Sequence, residues 1–321
     1  MHAFDQLLQQ FEERFNRRHF PATPETLYEP AQYILGIGGK RVRPVMCLMG
    51  NELFDAIKPD AWEVATAVEL FHNFTLIHDD IMDQAPLRRG KATVHHRYGT
   101  NTAILAGDAM LIMAYEYLRR VSQPYLATIL TLFNKAALEV SEGQQLDMDF
   151  EQRSRVTFDE YVHMITLKTS VLLAASLKLG AVIGGAGSGN AQHLYEFGKN
   201  LGIAFQVQDD YLDAFGDPSK FGKQVGGDIL ANKKTFLMIY ALETAGASEK
   251  QRLTELLQTQ PADKVEQVLH IFRSCGVDKW ALELKQQYLQ KALEHLEAIA
   301  VVSKRKEPLQ QLAAFLVQRD Y

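Results

Sequence analysis

Apolar residues recur every three to four positions along most of this chain, the period of helices with one buried face. That pattern predicts helices over residues 2–18, 25–36, 42–55, 60–83, 101–120, 124–149, 157–184, 191–215, 232–246, 249–258, 262–274, 277–299 and 306–318. Between them lie short turn-rich pieces such as Phe20-Pro21-Ala22-Thr23-Pro24 and Gly184-Gly185-Ala186-Gly187-Ser188-Gly189-Asn190. Alternating strand runs are missing, and β-branched residues do not cluster in short bounded segments. The expected fold class is all-α. No Pro/Ser/Gly-rich linker, charge run or low-complexity tract divides the 321 residues, so one domain over 1–321 is expected.

Composition sharpens this only at the edges. With 47% hydrophobic and 23% charged residues the chain can bury a sizeable core. Cys47 and Cys275 are too few for a disulfide framework and match no zinc spacing. The start, MHAFDQLLQQFEERFNRRHF, reads as an amphipathic helix rather than a charged leader followed by an apolar stretch. Charge or amide residues interrupt the longest apolar runs before membrane-spanning length, so no transmembrane segment is expected and the default location is cytoplasmic. A formal charge of −5 argues against nucleic acid as the main partner.

Two features invite functional readings that the pattern does not support. The glycines at 184–189 follow a helical stretch and lack G-x-G-x-x-G spacing, so they read as a flexible helix–helix connection. His95-His96 point to different sides of a helix with no partner at i+4, so they read as an exposed pair.

Two acidic segments do carry chemistry. Asp79-Asp80-Ile81-Met82-Asp83 and Asp209-Asp210-Tyr211-Leu212-Asp213 each place D-D-x-x-D in an otherwise apolar helix. Residues four apart share a face, so Asp79 lies above Asp83 and Asp209 above Asp213, and like charges at that spacing repel. Two such pairs call for a cation. Hard carboxylate oxygens without His or Cys at ligand spacing suit Mg²⁺, with Mn²⁺ as a second choice. Calcium ranks below both, because the EF-hand loop spacing is absent.

Basic residues follow each motif. Arg88 and Arg89 come five and six residues after Asp83, and arginine offers planar bidentate geometry to a diphosphate. After the second motif runs Gly222-Lys223-Gln224-Val225-Gly226-Gly227-Asp228-Ile229-Leu230-Ala231-Asn232-Lys233-Lys234-Thr235, and earlier stands Gly38-Gly39-Lys40-Arg41-Val42-Arg43-Pro44. Glycine beside lysine or arginine lets cations approach phosphate oxygens closely. Together these imply two phosphorylated ligands, one bridged by metal and one held by cations alone.

The combination G-G-K-R-V-R-P, D-D-I-M-D-x-x-x-x-R-R-G, K-T, F-Q-V-Q-D-D-Y-L-D and G-K-x-x-G-x-D-I-x-x-x-K-x-T resembles the trans-isoprenyl diphosphate synthases, the polyprenyl synthetases. The matching motifs run in that family's order from Gly38 to Thr235. The resemblance implies Gly39, Lys40, Arg43, His72 and Arg89 as contacts to isopentenyl diphosphate. His72 lies seven residues before Asp79, which returns to nearly the same helix face. It implies Asp79, Asp83 and Asp209 as magnesium ligands, and Arg88, Lys168, Thr169, Gln206, Lys223 and Lys233 as contacts to the allylic diphosphate. Lys233 is preferred over Lys234 by the D-I-x-x-x-K spacing.

The implied activity is head-to-tail condensation of isopentenyl diphosphate with dimethylallyl, geranyl or farnesyl diphosphate. Phe74 and Thr75, five and four residues before the first motif, are implied to set product length. One aromatic at the farther position resembles enzymes that stop at geranylgeranyl diphosphate (C20), with farnesyl diphosphate (C15) the alternative if Met110, Met113 or Tyr115 narrows the pocket. A terpene cyclase would share the first motif but not the second D-D-x-x-D, nor need Lys40 and Arg43. A non-catalytic partner subunit should have lost aspartates or cations, and none is missing. The family also implies a homodimer.

Overall fold

The computed structural model describes residues 1–216 and 226–318. The chain runs through α1 (Phe4–Phe15), α2 (Glu25–Gly36), α3 (Val42–Glu52) and α4 (Pro59–Met82), then a small hairpin of β1 (Leu87–Arg88) and β2 (Lys91–Ala92). It continues through α5 (Val94–Tyr98), α6 (Thr100–Leu118), α7 (Gln123–Gln152), α8 (Phe158–Ile165), a π-helical turn (Thr166–Ser170), α9 (Val171–Ile183) and α10 (Ser188–Phe215). The last part holds α11 (Gly227–Leu230), α12 (Phe236–Thr244), α13 (Ala247–Gln258), α14 (Lys264–Ser274), α15 (Val277–Glu297) and α16 (Ser303–Gln318). The all-α class expected from the periodicity is the class observed.

Four local expectations need correction. The stretch 157–184 is one continuous helix in direction, but five residues in it, Thr166–Ser170, are π-wound. That helix, Phe158–Ile183, is long and apolar enough to cross a membrane by length and composition, contrary to the expectation that no run reaches that length; 72% of its apolar window is buried inside the protein. The chain after Asp83 forms a small β-hairpin where no strand is expected from the sequence. Arg89 and Gly90, at its tip, both have positive φ (53° and 72°), the backbone of a tight hairpin turn in which glycine relieves the second position. His95 is not an exposed residue: it is half-buried, and its Nδ1 is enclosed without a hydrogen-bond partner.

The described residues group into two compact units, Met1–Asn134 with Ala175–Gln192, and Lys135–Ala174 with His193–Tyr321. In the first, α4 packs along α6 and against α3. Buried positions on α4 include Val64, Val68, Phe71 and Ile77 but also Glu69, Asn73 and Asp80, so this helix is enclosed on nearly every side and carries polar groups into the interior. Pro59 at its first turn is pre-set for helix entry. Helices α3 and α9 meet backbone to backbone. A Cβ on Gly50 would sit 2.2 Å from Leu177 O, one on Gly180 1.8 Å from Cys47 O, and one on Gly184 2.6 Å from Asn51 O. The glycine expected in a flexible connection is thus a packing residue, and Gly180→Ala should cost about 1–3 kcal/mol or more by overpacking.

In the second unit, α12, α14 and α15 close over a core that includes Phe236, Leu253, Val268 and Phe272. Trp280 stacks on Tyr240 at 3.9 Å between ring centroids. Thr157 starts α8 with a reciprocal cap: its Oγ1 accepts from Glu160 N–H, and the Glu160 carboxylate accepts from Thr157 N–H at 2.9 Å.

Candidate active site

The first unit assembles a cluster of cations around a neutral histidine. Arg41 begins α3 in a left-handed conformation (φ 47°) that turns its side chain inward, where it pairs with buried Glu69 and donates to Leu35 O at 2.8 Å. Glu69 Oε1 also accepts from Asn73 Nδ2 at 2.9 Å, so this carboxylate ties α4 to the start of α3. Arg41 is therefore structural, while Arg43, two residues on, reaches the cluster. Arg43 Nη1 lies 3.2 Å from His72 Nε2. Guanidinium has no acceptor, so His72 accepts at Nε2 and carries its proton on Nδ1. Burial, then Arg43 and further arginines, hold the His72 pKa well below 6.5. Burial, then repulsion from Arg89, lowers Arg43 to about 10, still cationic at neutral pH. Gly39 lies beside the Arg89 guanidinium: a Cβ there would stand 2.8 Å from Nη1, so a side chain would displace that group. Gly39 thus adjoins Arg89 and Arg43 adjoins His72, and the charge of Arg89 acts on both Arg43 and His72.

The middle aspartate of the first motif behaves unlike its neighbours. Asp80 is buried and accepts a bidentate pair from Arg88, Nε to Oδ2 at 2.9 Å and Nη2 to Oδ1 at 2.7 Å. This fork holds the hairpin arginine in place. Asp79 and Asp83 lie on another face at the C-terminal end of α4, half-buried and exposed respectively. Phe74 belongs to an aromatic group, 5.6 Å from Phe71 and 4.8 Å from His78, with Phe133 beyond Phe71 at 5.3 Å. Thr75 Oγ1 donates to His72 O at 2.8 Å, so its hydroxyl turns back onto the helix.

The second unit contains a cavity of about 160 Å³ lined by Lys168, Thr169, Gln206, Lys233, Asp147, Tyr161, Asp210 and Asp228, among others. Lys168 and Thr169 sit in the π-helical turn, which approaches α7 so closely that a Cβ on Gly143 would lie 2.2 Å from Lys168 N. Such turns widen the helix and often carry functional side chains. Lys168 pairs with Asp147. Thr169 Oγ1 is 3.4 Å from Gln206 Oε1, and Gln206 Nε2 donates to Asp210 Oδ1 at 2.8 Å. The Tyr161 hydroxyl donates to Asp210 Oδ2 at 2.5 Å. Asp210 has only neutral donors; burial, then Asp228, pushes its pKa up to about 7.

Lys233 and Lys234 separate by role. Lys234 Nζ donates to Phe150 O at 2.7 Å and Glu151 O at 3.2 Å, capping the end of α7, whereas Lys233 Nζ stands 3.6 Å from Asp228 Oδ1. Asp213 accepts Asp228 N–H at 3.0 Å and its backbone carbonyl accepts Gly226 N–H at 2.7 Å, so the third aspartate of the second motif anchors the turn that carries Lys233. Lys223 lies outside the described residues.

A cation fits the remaining aspartates by position as well as by donor type. Both motifs occupy the last turns of their helices, α4 and α10, where the backbone presents partial negative charge and no basic residue follows within the turn. Among the described residues no cluster of three acidic, His or Cys groups forms a complete protein cage. One or two carboxylates with phosphate and water completing the shell is the arrangement Mg²⁺ favours.

Sequence reasoning did not single out Asp147, Tyr161, Asp228 or the orienting roles of Glu69 and Asp80. The signal closest to hand is Gly143 four residues before Asp147 on one face of α7, a close-approach position next to a carboxylate.

An all-helical chain with arginine-rich and lysine-rich sites and two paired-aspartate helix ends defines a class of helical proteins built to handle diphosphates. A family model described as polyprenyl synthetase matches residues 24–274, and this chain belongs to that family. A relative named short chain isoprenyl diphosphate synthase, from Methanothermobacter thermautotrophicus, is 37% identical over 97% of this chain and 95% of its own. A geranylgeranyl diphosphate synthase from Saccharolobus solfataricus is 39% identical over 92% and 91%. A crystal structure of a geranylgeranyl pyrophosphate synthase superposes with a TM-score of 0.95 at 43% identity, covering 100% of both chains.

Proposed function

We propose that this protein condenses isopentenyl diphosphate with an allylic diphosphate, head to tail, to give an all-trans prenyl diphosphate, with geranylgeranyl diphosphate as the main product. The observation that carries the proposal is the convergence of Lys168, Thr169, Gln206 and Lys233, which are far apart in sequence, on one cavity. These residues suit the allylic diphosphate: two ammonium groups, a hydroxyl and an amide, with Arg88 as the further cation carried by its hairpin. The cluster of Gly39, Lys40, Arg43, His72 and Arg89 suits the diphosphate of isopentenyl diphosphate.

Asp79, Asp83 and Asp209 would hold Mg²⁺ (or Mn²⁺), which when bound supplies Lewis-acid stabilisation of the diphosphate oxygens. The protein's own cations do related work. As the allylic carbon–oxygen bond lengthens, charge gathers on the departing diphosphate, and Lys168, Lys233 and Arg88 would stabilise it. Neutral His72 offers Nδ1–H to the second diphosphate, and Arg43 and Arg89 fix that substrate's orientation, which raises its effective concentration at the allylic cation. The isopentenyl double bond then attacks, and loss of a proton leaves a chain five carbons longer. No protein nucleophile is involved. The proposal extends to a homodimer in the cytoplasm, supported by the family.

The test is direct. Purified protein is incubated with Mg²⁺, isopentenyl diphosphate and, in parallel, dimethylallyl, geranyl or farnesyl diphosphate, and products are sized chromatographically. A dominant C20 diphosphate is the expected result, and C15 would move the floor of the pocket closer. Turnover of an allylic diphosphate alone to hydrocarbon or alcohol would replace the proposal with a cyclase.

A further inference from the structure

The turn that carries Lys233 is held from behind by a buried lysine that none of the family motifs contains. Lys264, the first residue of α14, is 1% exposed. Its ammonium donates to Asn232 Oδ1 at 2.5 Å and to Thr259 O at 3.1 Å, and neither partner is charged. An ammonium buried against neutral acceptors is costly, and replacing buried charged groups by apolar side chains of similar volume is often neutral or stabilising. Burial lowers its pKa, as this environment requires. A contact so unfavourable for folding points to another use.

Asn232 supplies it. This residue lines the cavity with Lys233 and adopts a left-handed backbone (φ 56°). An ammonium is donor only, so the amide must turn its oxygen to Lys264, and its Nδ2 hydrogens then point elsewhere. The same turn is braced by Lys233 N–H donating to Asp228 O at 2.9 Å, by Gln260 Nε2 donating to Leu230 O at 3.0 Å, and by Gly226 packed against Val265 of α14. Helix α14 therefore sets the position of the whole diphosphate-facing turn.

We propose that Lys264 is a positioning residue for the allylic diphosphate: its bond to Asn232 fixes the Lys233 turn and orients the Asn232 amide as an additional donor in the cavity. This deepens the synthase reading and rests on it for the identity of the ligand, whose diphosphate head is the part recognised. Asparagine tolerates left-handed backbone well, so conformational tolerance alone is the competing explanation for its presence. Glycine tolerates that backbone better still, which separates the two explanations.

The experiment uses the full-length protein and three variants, Lys264→Met, Asn232→Gly and the pair. Each is measured for KM of farnesyl diphosphate and of isopentenyl diphosphate, for kcat, for thermal stability and for calorimetric binding of inorganic diphosphate with Mg²⁺. Both single variants are expected to raise the farnesyl diphosphate KM and weaken inorganic diphosphate about tenfold, with the isopentenyl diphosphate KM within twofold. The double variant should be no worse than either single one, and Lys264→Met should melt no lower than the parent. An unchanged farnesyl diphosphate KM in Asn232→Gly, or equal losses in both KM values accompanied by a lower melting temperature, would overturn the proposal. If the parent elongates nothing but binds inorganic diphosphate, and the variants weaken that binding, the synthase reading fails while the positioning role stands. If the parent does neither, both fail.

Discussion

The two D-D-x-x-D motifs are nearly identical as strings and different as structures. In each, the first and third aspartates share a face near a helix end, and the second is buried. Asp80 meets a guanidinium in bidentate geometry, whereas Asp210 meets a phenol and a carboxamide. A buried carboxylate forked onto a guanidinium locks that cation in place. One with neutral donors drifts toward protonation, as the rise of Asp210 to about 7 shows. The same letter at the same motif position thus orients an arginine in one region and organises a neutral hydrogen-bond chain from Tyr161 through Gln206 in the other.

The largest expected effects fall where the two motifs are alike. Asp79→Ala and Asp209→Ala should each lower turnover by about a thousandfold, since both remove a carboxylate proposed to hold the metal that stabilises the leaving group. Steady-state kinetics over a range of Mg²⁺ concentrations measures this. Near-normal activity in either variant would break the symmetry at its root.

The next effects fall where the motifs differ. Asp80→Asn removes the charge that fixes Arg88, which is itself a quarter exposed by its side chain (25%), so solvent moderates the stability loss to about 1–3 kcal/mol. Activity should fall about a hundredfold, because a diphosphate cation loses its orientation. Asp210→Asn should be far milder, about a few-fold in rate, because a carboxamide reproduces a carboxyl group that is already half protonated near neutral pH and can still accept from Tyr161. Chemical denaturation and kcat/KM for both variants decide the matter; equal losses would erase the distinction.

The regions also differ just upstream of their motifs. Five residues before Asp79 stands Phe74 in its aromatic group, while five before Asp209 stands Ala204, fully buried. If the first helix carries the floor of the product pocket, Phe74→Ala should shift products by at least one five-carbon unit beyond C20. Loss of a half-buried ring should cost about 1–2 kcal/mol. An unchanged product distribution would place the floor elsewhere.

How much of this was legible in the sequence follows from the distance over which each contact acts. The helices and the two acidic faces are local patterns, and period and spacing state them directly. The contacts that assign roles are not local: Lys168 finds Asp147 across 21 positions, Tyr161 finds Asp210 across 49, and Lys234 caps carbonyls more than 80 positions away. The family resemblance placed Lys168 and Thr169, but nothing in their own residues announced a π-wound turn, which arises because Gly143 admits the backbone there. Arg41, which no motif assigned a role, is the buried partner of Glu69, and spacing alone does not announce that pairing.

The smallest effect is also the one that separates the regions most cleanly, because their buried titrating groups pull stability in opposite directions with pH. In the first unit His19 is buried, with Tyr117 Oη at 2.7 Å from Nδ1 and Phe15 O at 2.8 Å from Nε2, and burial lowers its pKa from 6.5 to about 4. Its unfolded form binds protons first, so its contribution is present above pH 6.5 and is lost as pH falls toward 4. Asp210 has the reverse sign: its folded pKa lies above the unfolded 3.8, so its contribution is present at low pH and is lost as pH rises toward about 7. Between pH 6 and 7 the Asp210 term changes by about 1 kcal/mol and the His19 term by about 0.7 kcal/mol in the opposite direction, and His72, whose pKa burial also lowers, acts in the same sense as His19. Urea denaturation in chelator should therefore show the parent losing only a little stability on acidification over that range. Asp210→Asn should deepen that loss, and His19→Gln should reduce it. Parallel profiles for all three proteins would mean that the two burials are not the groups that set the pH response.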